Sequence, residues 1–167
     1  MKVYGVTGWK NSGKTGLMER LVAEFRARGL SVSTIKHAHH SFDVDHAGTD
    51  SFRHRAAGAG QVLLASSRRW ALMSELQGAA EPALPELLAR LDPCDLVLVE
   101  GYKTATHPKI EAHRAATGQD LIAPCDASIR AVASDQALDL DRPVFDLDDT
   151  SAIADFIAAE LKLELGV

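Results

Sequence analysis

The apolar positions of the chain recur with two periods, and these alternate along the first part of the sequence. Residues 2–7 form a short apolar run that predicts a strand. Apolar side chains then recur at helical spacing, which predicts an amphipathic helix over about 14–28 that ends at Gly29. Residues 30–36 alternate and are rich in β-branched side chains, so they predict a second strand.

The rest of the chain continues this succession of short strands and helices. The run 95–100 is apolar until Glu100, which suits a strand buried on both faces. A cap at Asp149 or Thr150 predicts the start of a last helix. The remaining predicted elements are helices over 51–59 and 82–91, and strands over 61–66, 70–73, 109–113, 130–134 and 144–145.

Strands that alternate with helices predict an α/β fold, with a mostly parallel sheet flanked by helices in three α/β/α layers. The connections should be right-handed, and ligands should bind at the carboxyl ends of the strands. The sequence shows no linker, low-complexity segment or internal repeat, so we expect one domain over residues 1–167.

The segment between the first strand and the first helix fits the spacing G-x-x-x-x-G-K-[ST] of a phosphate-binding loop. A glycine-rich turn points backbone N–H groups at a phosphate, and the order strand, loop, helix aims a helix N-terminus at the anion. Lys14 would reach the β- and γ-phosphates, and the Thr15 hydroxyl would bind Mg²⁺. The predicted nucleotide-binding residues in this loop are Gly8, Lys10, Asn11, Ser12, Gly13, Lys14, Thr15 and Gly16.

The amino-acid composition and net charge of the chain exclude several classes of protein. The chain has 167 residues, 46% hydrophobic and 25% charged, which is typical of one globular domain. Its formal net charge of -5 argues against general nucleic-acid binding, which needs a basic face. Two isolated cysteines, no signal segment and no apolar run of roughly 20 residues predict a cytoplasmic protein outside membranes.

Glu100 closes the most apolar strand and is followed by Gly101. Phosphate-loop folds place an acid at the end of a strand beside the loop, where it holds Mg²⁺ directly or through water. Asp is the usual acid, so Glu100 is a variant whose longer side chain could bind the metal's water or orient an attacking water. A solvated strand-end glutamate is the alternative interpretation. We expect Lys14 and Glu100 to be the catalytic residues.

A polar stretch rich in histidine follows the second strand, and three interpretations remain open for it. It could be a switch-like loop in which Asp43 or Asp45 helps to hold Mg²⁺ while Lys36 and His37 touch phosphate. It could be a transition-metal site, because imidazoles and carboxylates suit such ions, although the spacing matches no closed zinc pattern. It could also be an ordinary polar loop. The other histidines of the stretch are His39, His40 and His46.

Two further regions are candidates for ligand contacts. Lys103 and Lys109, with His113 and Arg114, form a basic region that could receive a second anionic ligand or could be ordinary surface cations. The N-K-x-D motif that reads guanine in many GTPases is absent. Asp135 ends a late apolar strand and could accept hydrogen bonds from guanine, or could belong to a plain turn.

Together these segments resemble the family of molybdopterin-guanine dinucleotide biosynthesis adapter protein B, MobB. The phosphate loop alone is unspecific, whereas the histidine stretch combined with Val-Glu-Gly-Tyr-Lys and Pro-Lys-Ile-Glu is specific. The resemblance runs along most of the chain and is weakest at residues 115–145. The matching pieces are residues 8–15, 35–45, 48–51, 57–59, 96–103 and 108–111.

The resemblance implies a homodimeric, Mg²⁺-dependent GTP-binding protein with weak GTPase activity. Such a protein assists the nucleotidyltransferase MobA, which joins GMP to molybdopterin, and molybdopterin is itself a possible ligand. Relatives of this phosphate-loop branch often carry a signature lysine directly after the first glycine. Here that position is Trp9, and Lys10 follows one position later.

Two other classes of function compete with the adapter. A small-molecule kinase would need an arginine-rich lid, for which Arg68, Arg69 and Arg114 are a thin case. A binding module would use the nucleotide only as a structural ligand. Release of phosphate, and detection of a phosphorylated acceptor, distinguish the three.

Overall fold

The computed structural model describes residues 1–38 and 42–164, and the chain divides into two compact units. The first unit comprises Met1–His37 and Leu84–Val167, and the second comprises Ala38–Ala83. The expectation of one domain over 1–167 stays a prediction. In chain order the elements are β1 (Lys2–Thr7), α1 (Lys14–Ala27), β2 (Val32–Lys36), α2 (Asp50–Ala56), β3 (Gln61–Ala65), β4 (Trp70–Ser74), α3 (Leu84–Leu88), β5 (Leu96–Glu100), β6 (Lys109–His113), β7 (Ile129–Ser134), β8 (Val144–Asp146) and α4 (Thr150–Leu161), with 3-10 turns at Ala115–Thr117 and Ala123–Cys125.

The first unit is built on a six-stranded sheet in the order β2-β5-β1-β6-β7-β8, and every neighbouring pair is parallel. β5 lies between β2 and β1 and is buried at all five positions, as its apolar run predicts. In register, Glu100 lies opposite Val6 of β1 and Lys36 of β2. The carboxyl ends of these three strands therefore meet at one edge.

Helices α1 and α4 cover one face of this sheet, because each carries an apolar stripe. Leu17, Leu21 and Phe25 of α1 and Ile153 and Ile157 of α4 are fully buried in the same core. At about 25 cal/mol per Å² of apolar area, burial of each such side chain contributes roughly 1.5–3 kcal/mol. The Asp149 carboxylate caps α4 by accepting from the Ala152 N–H at 3.1 Å, as the sequence predicts.

The other face of the sheet is covered by shorter segments. Leu84 of α3 packs on Val97 and Val99 of β5, and the turn at Ala123–Cys125 packs near Ile129. The helix predicted over 82–91 is shorter than expected, since only Leu84–Leu88 is helical. After Leu88 the backbone forms i→i+3 hydrogen bonds in place of α-helical ones. Pro93 also disfavours helical geometry at the residue before it, so the helix does not continue. The α/β class with helices flanking a parallel sheet is confirmed.

The second unit contains α2 and the antiparallel hairpin β3–β4. Thr49 caps α2 through a bond from the Phe52 N–H. Arg55 donates from its guanidinium to Asp43 at 3.0 Å, to Glu75 at 2.9 Å and to Asp45. Large apolar side chains of this unit remain exposed, namely Leu63, Leu64, Trp70, Leu72 and Leu76.

Polar side chains on β6 face the interior, although the alternating sequence gave only a weak strand signal. Lys109 and Glu111 are completely buried, because β6 lies between β1 and β7 and both of its faces are covered. The Lys109 ammonium group donates to the Ala105 carbonyl and the Ser128 hydroxyl and pairs with Asp126 at 3.5 Å. Lys109 is therefore internal, not part of an exposed basic region as its sequence context suggested.

His107 lies beside this cluster, against the backbone of Gly5, where a β-carbon would come within 2.6 Å of the His107 Nε2. Both of its ring nitrogens are buried without a hydrogen-bond partner among the described residues. The pKa of His107 is lowered from 6.5 to about 4, mainly by burial and also by the charge of Lys109, while Asp126 opposes the shift. The imidazole is consequently neutral in the folded protein at neutral pH.

This neutral histidine predicts a pH dependence of stability. Because the folded pKa lies below the unfolded one, the unfolded chain binds the extra proton between pH 6.5 and about 4, and stability falls as pH falls through that window. We expect His107→Leu to flatten the fall in thermal midpoint between pH 7 and pH 4.5. Thr106→Ala, an exposed change in the same loop, serves as the control. Parallel pH profiles of His107→Leu and the parent protein would contradict the assignment.

Candidate functional site

The loop between β1 and α1 wraps closely around an open space at the carboxyl edge of the sheet. Gly8 has φ 139°, and a β-carbon there would lie 2.4 Å from the Ala112 carbonyl oxygen. Gly13 has φ 95° and directly precedes α1. Both positions thus require glycine, and the second glycine sets the entry of the chain into the helix.

A cavity of about 440 Å³ lies against this loop and the N-terminus of α1. Helix N-termini attract anions, because their first N–H groups have no partner within the helix. The cavity therefore has the backbone donors and the positive charge that a phosphate needs. It is lined by Asn11, Ser12, Gly13, Lys14, Thr15, Gly16, Arg20 and Arg114.

Lys14, the first residue of α1, folds back so that its ammonium group donates to the Trp9 carbonyl oxygen at 2.5 Å. Burial lowers the pKa of Lys14; Glu100 opposes this shift, while Lys103 and Lys36 add to it. An incoming anion would favour the charged form, so the position of Lys14 matches the predicted phosphate contact.

Thr15 and Glu100 place two oxygen ligands side by side next to Lys14. The Thr15 hydroxyl donates to Glu100 Oε1 at 3.2 Å, and Lys36 Nζ lies 3.3 Å from the same oxygen. Glu100 is largely buried at the end of β5, so the solvated strand-end alternative does not describe it. Hydroxyl and carboxylate oxygens are ligands that Mg²⁺ prefers, and the residues present therefore fit such an ion.

Two buried hydroxyls at the loop have unused hydrogen-bonding capacity. Thr7 is 1% exposed and Ser12 is 2% exposed, and the Oγ of each has no partner among the described residues. Buried polar groups are normally satisfied, and exceptions at a cavity point to a missing water or ligand. Ser12 lines the phosphate cavity, which makes its hydroxyl an available donor there.

Trp9 joins the phosphate loop to two neighbouring loops. Its indole N–H donates to the Asp120 carbonyl oxygen at 2.7 Å, and Lys103 Nζ lies 3.9 Å above the centre of its ring. Such cation–π contacts contribute about 0.5–1 kcal/mol at exposed sites. Lys103 is thereby placed next to the loop, whereas Lys10 is exposed on the loop itself.

Asp135 follows β7 and is exposed, as expected for a residue that reads a base. Its Oδ1 accepts from the Ala115 N–H at 2.9 Å, which ties the segment after β7 to the segment after β6. Arg114, the residue before Ala115, lines the phosphate cavity. The structure therefore connects Asp135 to the phosphate site through one short turn.

The histidine stretch divides between the two units. His37 continues β2, and its ring stacks on Tyr102 with centroids 4.6 Å apart. His39 and His40 lie outside the described residues. Asp43 and Asp45 belong to the second unit, where the Arg55 guanidinium bonds both and lowers the pKa of Asp45. Within residues 1–38 and 42–164, no group of three or more His, Cys, Asp or Glu side chains is placed to hold a metal ion.

Two arginines at the cavity were not assigned to it from the sequence. Arg20 was missed entirely: its guanidinium donates to the Leu147 carbonyl at 2.7 Å and to the Thr150 hydroxyl at 2.9 Å. Arg114 was assigned to a second basic region and weighed as a lid arginine, but not to the phosphate loop. Arg20 does follow Gly16 by one helical turn, which is a usable signal, since residues four apart share a helix face. The sequence around Arg114 carries no comparable signal, because Arg114 reaches the cavity only through the pairing of β6 with β1.

Sequence comparison finds one matching family. The sequence model of molybdopterin guanine dinucleotide synthesis protein B, MobB, matches residues 3–135. A molybdopterin-guanine dinucleotide biosynthesis adapter protein of Haemophilus influenzae is 43% identical over 160 residues, covering 93% of this chain and 86% of the relative. The protein of the same description from Escherichia coli is 40% identical over 163 residues, covering 95% and 92%.

Solved structures of MobB proteins share the fold of this chain. A crystal structure of a MobB homologue from Bacillus stearothermophilus superposes with a TM-score of 0.68 at 32% identity, covering 97% of this chain and 99% of that one. A structure of Bacillus subtilis MobB gives a TM-score of 0.74 at 26% identity, covering 98% and 100%. The fold is that of a phosphate-loop NTPase. No helix in the described part of the chain has the length and apolar character that a bilayer crossing requires.

Proposed function

The chain belongs to the MobB family, and on that premise we propose that it binds GTP with Mg²⁺ as an adapter in the biosynthesis of molybdopterin guanine dinucleotide. The observation that carries the proposal is the cavity at the phosphate loop, with Lys14, Thr15 and Glu100 gathered beside it. The names of the relatives support the pathway, and the geometry of the loop supports the binding of a nucleotide.

The proposed binding mode follows from the charges around the cavity. The loop N–H groups and the Lys14 ammonium would hold the β- and γ-phosphates. Thr15 and Glu100 would hold Mg²⁺, which supplies positive charge against those phosphates when bound. Asp45 was expected to be a further ligand, but its carboxylate is bonded to Arg55, so the proposed Mg²⁺ ligands are Thr15 and Glu100.

Weak GTP hydrolysis is part of the same proposal. Glu100 Oε1 accepts a hydrogen bond from Thr15 and lies 3.3 Å from Lys36. Because these two side chains occupy the carboxylate, it is poorly placed to act as the base that activates a water molecule. Charge stabilisation by Lys14 then acts without an efficient base, which gives slow turnover. Nothing in residues 1–38 and 42–164 favours the small-molecule kinase over the adapter that the relatives name.

The experiment that tests the proposal is a nucleotide panel on the purified protein. Binding of GTP, GDP and ATP is measured by calorimetry with and without Mg²⁺. We expect GTP to bind in the micromolar range, to bind more tightly with Mg²⁺ than without it, and to outcompete ATP. Equal binding of GTP with and without Mg²⁺ would contradict the metal assignment, and no GTP binding would contradict the proposal as a whole.

We also propose that Asp135 accepts hydrogen bonds from the guanine edge. Its carboxylate is oriented by the Ala115 N–H, and Oδ2 has no partner among the described residues. We expect Asp135→Asn to weaken GTP binding at least about tenfold, because hydrogen bonds to a charged acceptor are worth about 1.5–3 kcal/mol. The same variant should gain affinity for xanthosine triphosphate, since an amide can donate to the xanthine 2-oxo group.

The control for this change is Asp139→Asn, which makes the same substitution at an exposed position four residues later. Competition binding of GTP against xanthosine triphosphate measures the preference of each variant. A preference for GTP that stays the same in Asp135→Asn as in Asp139→Asn would remove Asp135 from the base site.

The proposed partners are the nucleotidyltransferase MobA, molybdopterin and a second copy of this chain, in the cytoplasm. The exposed apolar side chains of the β3–β4 hairpin support a homodimer, because a contiguous apolar patch usually marks an interface. We expect sedimentation at micromolar concentration to give about twice the 17.9 kDa of one chain, and Leu63→Glu to shift the protein to monomer. A parent protein that sediments as a monomer would contradict the dimer.

A further inference from the structure

Three lysines of the first unit lie near the phosphate loop, one paired with Glu100 and two in contact with Trp9. Lys36 Nζ lies 3.3 Å from Glu100, and Lys14 and Lys103 both reach Trp9, one at its carbonyl oxygen and one over its ring. The site therefore has more positive charge than Glu100 offsets.

The backbone holds Lys103 in this position through a turn that is costly to form. Gly101 has φ 95° and the next residue, Tyr102, has φ 50°, a left-handed conformation that non-glycine residues rarely adopt. Strain of this kind costs about 1–3 kcal/mol and persists only where the surroundings hold it. Here the Tyr102 ring stacks on His37, and a β-carbon at Gly101 would come within 3.0 Å of His37.

Lys36 is held from the opposite side by the pairing of β2 with β5. Lys36 lies in register with Glu100, and the His37 N–H donates to the Glu100 carbonyl at 2.9 Å. Its side chain is 60% exposed, so the ammonium group is open to a ligand. Two lysines thus flank the end of β5 at positions that the backbone fixes.

Binding of the nucleotide would leave these two lysines without a partner. Lys14 and the loop N–H groups would meet the β- and γ-phosphates, and Glu100 would turn to the metal ion that it holds with Thr15. Lys36 then loses its carboxylate, while Lys103 keeps only the face of Trp9. One ammonium group over an indole ring, with a second at the end of the strand beside β5, matches a dianionic phosphate that is joined to a planar organic group.

We propose that Lys36 and Lys103 form a second anion site beside the nucleotide, which takes the phosphate of a small phosphomonoester. This inference rests on the proposed function, because GTP and Mg²⁺ must fill the neighbouring loop. It names the chemical class of a second ligand at that site. Trp9 contacts Lys103, so its fluorescence should report when Lys103 moves to the phosphate.

The test uses the full chain with Trp70→Phe, which leaves Trp9 as the single tryptophan of the two in the sequence. Binding of a non-hydrolysable GTP analogue with Mg²⁺ is measured first and by itself. The loaded protein is then titrated with phenyl phosphate and with inorganic phosphate at constant ionic strength, by fluorescence and by calorimetry. We expect saturable binding, tighter for phenyl phosphate, that Lys36→Ala and Lys103→Ala each weaken at least about tenfold (about 1.4 kcal/mol).

The control is Lys2→Ala, which removes the same charge at the start of β1. It should bind both phenyl phosphate and the GTP analogue as the parent does. Lys36 and Lys103 variants that lose the analogue as strongly as Lys14→Ala would overturn the proposal, because the lysines would then serve the γ-phosphate. Absence of saturable binding at millimolar phenyl phosphate, or tighter binding of inorganic phosphate, would also overturn it. Binding of the GTP analogue is measured separately, so its failure to bind would count against the GTP proposal and not against the second anion site.

Discussion

Replacement of Lys14 by alanine is expected to abolish the thermal stabilisation that GTP and Mg²⁺ give the protein. A ligand at about 100 times its Kd stabilises a fold by ~2.7 kcal/mol. For a protein of this size that corresponds to a rise in Tm of roughly 5–10 °C. The Lys14 ammonium lies in the phosphate cavity with the Trp9 carbonyl as its hydrogen-bond acceptor, and no other lysine lines that cavity. The shift in Lys14→Ala should therefore fall close to zero.

The ligand-free protein provides the internal check on this result. Burial lowers the pKa of Lys14, so holding the charge there is unfavourable without an anion, and Lys14→Ala should leave the ligand-free Tm unchanged or slightly higher. Lys2→Ala should keep the full shift with GTP. A Lys14→Ala protein that retains more than half of the parent's shift would place the nucleotide outside this loop.

Replacement of Glu111 by leucine is expected to destabilise the fold by about 2–5 kcal/mol. Glu111 is completely buried on β6, and its carboxylate accepts from the Ile122 N–H at 3.0 Å and from the Ala123 N–H at 2.7 Å. Leucine leaves the buried Ala123 N–H and the partly buried Ile122 N–H without an acceptor, and a buried group of this kind costs roughly 1–3 kcal/mol. Urea unfolding measures the loss in free energy of unfolding.

Glu111→Gln is the matched variant, because its amide carbonyl still accepts one of the two bonds. We expect it to lose less stability than Glu111→Leu. Amide hydrogen exchange gives an independent readout, since Ile122 and Ala123 should lose protection in Glu111→Leu before the rest of the sheet does. A loss below about 1 kcal/mol in Glu111→Leu would contradict the role of Glu111 as the acceptor for this turn.

Much of the fold was predictable from local patterns. The apolar run before Glu100 predicted a doubly buried strand, and β5 has that environment. The helix after the loop and the Asp149 cap of the last helix were also predicted and are confirmed. These predictions succeeded because helical spacing, continuous apolar runs and caps depend on neighbours in sequence, whose geometry is local.

The side chains that complete the site were harder to predict. Arg114 reaches the phosphate cavity because β6 pairs beside β1, which brings the end of β6 next to the loop. Lys103 reaches Trp9 through the left-handed turn at Gly101 and Tyr102. Lys109 was expected to be exposed, yet it is buried beside Asp126. Each case depends on contacts between segments far apart in sequence, which periodicity does not encode.

The order of residues along the chain is enough to predict a phosphate loop, a parallel α/β sheet and the segments that mark the MobB family. Glycine at positions 8 and 13 and lysine at 14 specify the chemistry of the loop wherever the rest of the chain lies. Which charged side chains meet at the loop depends on how the strands pair in the folded protein. Parallel pairing of β2, β5 and β1 places both Lys36 and Thr15 within hydrogen-bonding reach of Glu100, because the carboxyl ends of neighbouring parallel strands share one edge.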